Sequence, residues 1–184
     1  MSHERAPFPQ RIFLDSSALQ AMQTYGGFIY DGERIGPEDR IFRDPLGYAK
    51  LEALHDIALI GDRAPFQFAL SQNSFAEFRL ARDQSYLQWA YDVLDHWNVC
   101  LAESGPPEPN RVAVSKLASR GFGYLGMGDR ALIEDALLLE CDTFLTMENK
   151  LPRNGAHVLR ELGIRVESPT QVWARILPWA GLYR

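Results

Sequence analysis

"GMGDRALIEDALLLECDTFLTMEN", Gly126 to Asn149, sets six carboxylates around a short apolar run. In its first half Leu132, Ile133, Ala136 and Leu137 recur at helical spacing, so "GDRALIEDALLLE" is expected to be a helix. "TFLT", Thr143 to Thr146, follows at once as a short buried strand. Asp129, Glu134, Asp135, Asp142 and Glu148 either cap and solvate these elements or meet, in part, over a metal ion. The stretch by itself leaves both open.

Outward from this stretch the same unit recurs. "RIFLD", Arg11 to Asp15, reads as a strand ending in an acid, and "SSALQAMQ" opens a helix. "TYGGFIYDGERIGPEDRIFRDP" carries Gly, Pro and alternating charge and reads as a loop or insertion, after which Leu46, Leu51, Leu54, Ile57 and Ala58 predict a helix over about 45–60. "FQFALS", Phe66 to Ser71, is the second strand, followed by helical "SFAEFRLAR" and "SYLQWAYDVLDHW". "ESGPPEPN" breaks the pattern before a helical "RVAVSKLASR". The chain closes with helix "GAHVLRELG", strand "IRVES" and a helix opened by Pro169. Short apolar strands alternating with helices imply a parallel sheet covered on both faces. Such sheets bind ligands outside the carboxyl ends of their strands. Asp15 and Glu148 stand at two such ends, Glu77 lies one turn into the helix after the second strand, and Asp129 starts the helix before the third. These four acids are expected to converge.

Composition narrows the function classes. A length of 184 residues suits one domain with one core, residues 1–184. With 46% hydrophobic and 23% charged residues, a packed fold is expected rather than a disordered chain. The net charge of −5 gives no overall basic signal, so nucleic-acid contact would depend on a local Lys/Arg patch. Cys100 and Cys141 match no zinc spacing and read as core thiols. "MSHERAPFPQ" has no apolar run behind its charges, and no segment approaches the roughly 18 apolar residues of a membrane helix, so a cytoplasmic protein is expected.

Each acid also has a plainer reading. Asp15 suits a helix cap. Glu77 fits a capping box with Ser74. Asp129 complements a helix dipole, and Glu148 with Asn149 suits a polar loop. Ser17, two residues after Asp15, stands where a haloacid-dehalogenase-like phosphatase needs a second Asp. "GFGYLG", Gly121 to Gly126, matches a dinucleotide fingerprint in form but follows no strand, so it reads as a loop leading to Asp129. His3, His55, His96 and His157 show no metal spacing, and Trp89, Trp97, Trp173 and Trp179 read as core. Arg79, Arg82, Arg120, Arg130, Lys150 and Arg153 flank the acidic positions and would form a rim for a phosphate backbone.

Taken together, "IFLDSSAL", "ALSQNSFAEF", "GDRALIEDALLLECDTFLTMENKL" and "GIRVESPTQVW" resemble, in order, the motifs of the PIN-domain nucleases. The third is the most specific, and the match spans most of the chain. The resemblance implies a three-layer α/β/α sandwich around a mostly parallel sheet, cutting single-stranded or structured RNA with Mg²⁺ or Mn²⁺. It assigns Asp15, Glu77, Asp129 and Glu148 as catalytic, metal-binding acids, with Ser17 and Thr146 in support. It also implies a homodimer, and a cognate antitoxin-like protein if the chain is a toxin-type member.

Clustered carboxylates repel, and a hard divalent cation with oxygen ligands relieves them. Its bound water, with a lowered pKa, suits hydrolysis of a phosphodiester. The departure is Glu148, where the family most often has Asp; one extra methylene moves the carboxylate by on the order of an ångström, and Mg²⁺ tolerates poor geometry badly. Asn149 is a neutral oxygen donor next to it, and Asp142, just before the strand, is placed in a supporting role. Glu134 and Asp135 are assigned to the solvated side of the helix, Asp135 being the nearer to the site. Arg79, Arg82, Arg130, Lys150 and Arg153 are the expected RNA contacts. The rival expectations are a PIN-like module that binds RNA or protein without cutting and, behind it, a small α/β phosphatase or hydrolase.

Overall fold

The computed structural model describes residues 7–61, 63–75, 84–103 and 107–183. β1 spans Arg11–Leu14, and three helices follow it: α1, Ser16–Thr24; α2, Gly26–Asp31; and α3, Gly47–Gly61. β2, Gln67–Ala69, precedes α4, Gln84–Glu103, and α5, Arg111–Leu117. α6, Met127–Leu138, leads into β3, Thr143–Leu145; α7, Gly155–Leu162, leads into β4, Arg165–Glu167; and α8, Pro169–Ala180, ends the order. The strands lie in the order β2-β1-β3-β4 and all pair in parallel. Each falls within the stretch read as a strand.

Strand periodicity builds two cores. Phe13 and Phe144, paired in register and stacked with centroids 5.5 Å apart, face Ile133, Ala136, Leu137, Val158 and Leu162 from α6 and α7. The alternate residues Ile12, Leu14 and Leu145 face Leu19, Leu51, Leu54, Ile57, Val172 and Ile176 from α1, α3 and α8. One sheet between two helical layers is an α/β/α sandwich, and each large apolar side chain it buries contributes roughly 1.5–3 kcal/mol by leaving water. Arg175 of α8 bonds Thr143 Oγ1 and the Glu167 carboxylate, both at 2.6 Å, which ties that helix to β3 and β4.

In the segment around 26–63, which the resemblance makes an insertion, the helix expected over about 45–60 is present as α3, and the part before it, read as a loop or insertion, contains α2. α2 buries Ile29, and α3 supplies Leu51, Leu54, Ile57 and Ile60 to the first core. α2 has six residues, too few for a periodic signal, and Gly26-Gly27 looked like a breaker; the helix instead ends at Gly32, in the left-handed region with φ 68°. No described helix is long and apolar enough to cross a membrane.

The topology positions the site. The chain leaves β1 for β2 on one side and returns to β3 on the other, so strand order reverses between β1 and β3. α1, after β1, packs into one core, and α7, after β3, packs into the other. The carboxyl ends of these two strands therefore open a crevice between diverging connections, the usual ligand position in such sheets.

Candidate functional site

Asp15 leaves β1 at this crevice and is 5% exposed. Its Oδ1 caps α1 by accepting from Ala18 N at 2.7 Å and also accepts from Ser17 Oγ at 2.8 Å. The cap and site readings of Asp15 thus concern the same geometry. Ser17 joins the two strands, because its Oγ accepts from Met147 N at 2.9 Å and lies 3.3 Å from Thr146 Oγ1. Thr146, fully buried after β3, accepts from Glu148 N at 3.1 Å and so holds the turn that carries Glu148. Glu148 is exposed. Burial pushes Asp15 up to a pKa of about 6; hydrogen bonds from Thr146, Ala18 and Ser17 pull it down, and the Glu148 charge adds to the rise.

Lys50 is the participant that the sequence reading missed. It is 2% exposed, and its ammonium donates to Met147 O and to Asn149 Oδ1, with Asp44 Oδ2 3.8 Å away. Asn149 Nδ2 donates in turn to Asp44 at 3.3 Å. Desolvation lowers the Lys50 pKa, against the opposing charges of Asp44 and Glu148. The available signal was a lysine on the apolar stripe of α3, four residues after Leu46 and four before Leu54.

The other expected residues divide. Asp129 is half-buried in the first turn of α6, its carboxylate 3.4 Å from where a β-carbon on Gly126 would lie, as suits an acid at a helix start. Asp135, assigned to the solvated side, accepts instead from Ser71 Oγ and from Asn73 Nδ2 at 2.9 Å, just beyond β2. Asp129 lies six residues earlier on the same helix, about 9 Å along its axis. Glu134 is exposed, as assigned.

Asp142 belongs to the opposite edge of the sheet. It precedes β3 and accepts from Gln10 N at 2.6 Å and Arg11 N at 3.3 Å, so it cannot support the turn beyond Thr146. Arg130 is also not a free RNA contact, since its guanidinium is half-buried and donates to Phe122 O at 2.8 Å. Lys150 and Arg153 are exposed after β3. Glu77, Arg79 and Arg82 lie outside the described residues. A larger cleft, about 490 Å³, opens at the amino edge, but Arg11 and Asp142 there are engaged by Leu139 O, Gln67 and backbone amides.

Among the described residues no three His, Cys, Asp or Glu side chains are grouped to hold a metal ion. The oxygen donors at the crevice fit one by type: the Asp15 carboxylate and the Ser17 and Thr146 hydroxyls lie together, and the Glu148 charge acts on Asp15 from the turn after β3. A buried carboxylate with a raised pKa and no cation bonded to it is also the group that a divalent ion would relieve. The chain matches no family model, no curated protein and no solved structure. What it can do must therefore be argued from the crevice itself.

Proposed function

We propose that the protein is a cytoplasmic, divalent-metal-dependent ribonuclease of the PIN type. The observation that supports this most is the buried, cation-poor Asp15 at the strand-order reversal, with Glu148 on the adjoining strand end. Asp15 and Glu148 would hold Mg²⁺ or Mn²⁺, and Glu77 and Asp129 are the further acids that the resemblance assigns. When bound, the ion supplies a polarised water and offsets charge on the phosphodiester. Ser17 orients the Asp15 carboxylate and clamps Met147 N, while Thr146 fixes the backbone of Glu148. Without the ion, Asp15 is a carboxylate only above about pH 6. Lys150 and Arg153, exposed beyond β3, would meet the RNA backbone. The reading carries a homodimer and a small antitoxin-like partner as further expectations of the resemblance.

The test is Mn²⁺-stimulated cleavage of a labelled single-stranded RNA. Asp15→Asn and Asp129→Asn should each reduce it to background with an unchanged circular-dichroism spectrum. Wild-type rates in both variants would sink the reading. The second reading, a PIN-like module that binds RNA or protein without cutting, is favoured by Lys50, whose fixed positive charge already occupies the corner beside Glu148. Calorimetry showing no Mn²⁺ binding, together with no cleavage, would select it.

A further inference from the structure

Beside the crevice, a cleft of about 310 Å³ opens between the turn after β3 and the start of α8. Its binding chemistry follows from which polar atoms are already bonded. The Lys50 ammonium has three N–H donors, two of which go to Met147 O and Asn149 Oδ1. Asp44, at 3.8 Å, is beyond hydrogen-bond reach. One donor of this buried side chain, which lines the cleft, is left over. Gln171 Oε1 accepts from Ser168 N at 2.8 Å and from Ser168 Oγ at 3.1 Å, leaving both N–H groups of its amide unused. The Arg153 side chain, on the same wall, has no hydrogen bond or ion pair among the described residues. α8 opens with Pro169, whose nitrogen carries no proton, so these donors are side chains rather than a helix end.

The spare groups are thus donors, and among the described residues the one carboxylate lining the cleft is Glu148. With Asp44 beside Lys50, two cations face two carboxylates, a balance that disfavours a dianion. It suits a single negative charge spread over several acceptor oxygens, as in a phosphodiester. We propose that this cleft seats one phosphodiester of an RNA strand, next to the phosphodiester presented to Asp15 and Glu148. The identity of the strand rests on the ribonuclease reading; the seat itself does not.

Binding of a fluorescein-labelled uridine decamer, read by anisotropy in EDTA, tests the seat without cleavage. Gln171→Glu keeps an acceptor for both Ser168 bonds but replaces the two donors, so affinity should fall about tenfold or more at an unchanged Tm. Arg153→Gln should reduce the slope of log K against log salt by about 0.7. Unaltered binding in both folded variants overturns the proposal, as does a wild type that does not bind the decamer. Full displacement by inorganic phosphate would point to a free-phosphate site and overturn it too. A wild type that binds in EDTA yet never cuts with Mn²⁺ keeps the seat and removes the nuclease reading.

Discussion

The two edges of the sheet treat an aspartate in opposite ways. At the amino edge Asp142 is met by the amides of Gln10 and Arg11 and by the Thr143 hydroxyl, so its oxygens are spent on joining β3 to β1. At the carboxyl edge Asp15 receives one backbone amide and hydroxyls, and burial lifts its pKa to about 6. Lys50, a buried cation that meets the turn after β3, donates to Met147 O and Asn149. The lesson is one of supply. Where two amides and a hydroxyl meet a half-buried carboxylate it joins strands, and where burial outweighs one amide and hydroxyls the carboxylate keeps a raised pKa at a cost in stability.

The largest test of this contrast is pH-dependent. Asp15 binds its proton more tightly folded, at about 6, than unfolded, at 3.8, so stability is lost as pH rises through that window. Asp15→Asn keeps an oxygen for Ala18 N and should be more stable than the wild type by about 3 kcal/mol near pH 8. The gap should close between pH 6 and 3.8 and vanish below it, as read by urea unfolding across that range. Equal stability at every pH would break the comparison.

Asp142→Ala should act in the opposite sense, losing about 2 kcal/mol because two amides lose their acceptor, with RNA cleavage unchanged in the folded fraction. Lys50→Met should cost about 1–2 kcal/mol, since Met147 O and Asn149 Oδ1 lose a charged donor while a desolvated ammonium is removed. Chemical denaturation measures both. The smallest effect belongs to Glu140, whose φ of 57° puts a non-glycine residue in the left-handed region at the amino edge. Glu140→Gly relieves that strain but loses the bond from Glu108 N and the 3.8 Å ion pair with Arg11. A net gain below about 1 kcal/mol in Tm-derived stability is expected.

Much of the fold was legible because its signals are local. Phe13 and Phe144 sit in short apolar runs bounded by polar residues, and Pro169 announces α8, to which the structure adds a Ser168–Gln171 capping box. α2 escaped because six residues hold less than two helical turns of pattern. Asp15, Ser17, Thr146 and Glu148 were placed at the carboxyl edge because each ends or follows a strand. Asp142 was misplaced because it stands beside the same strand in sequence, and three residues of β3 carry it to the other edge. Arg130 reads as surface until the loop before α6 folds back to put Phe122 O against it.

The sequence alone determined the alternation of strands and helices, and with it which acids leave a strand at its carboxyl end, since periodicity and capping act over a few residues. Only the tertiary structure decided how each acid is used. Lys50 comes from α3 to bond Asn149 across 99 residues, and Asp142 is claimed by amides more than 130 residues away. Charge and hydrogen-bond supply are set by such distant partners, so burial, pKa and the donors left facing the cleft exist only once the layers are packed.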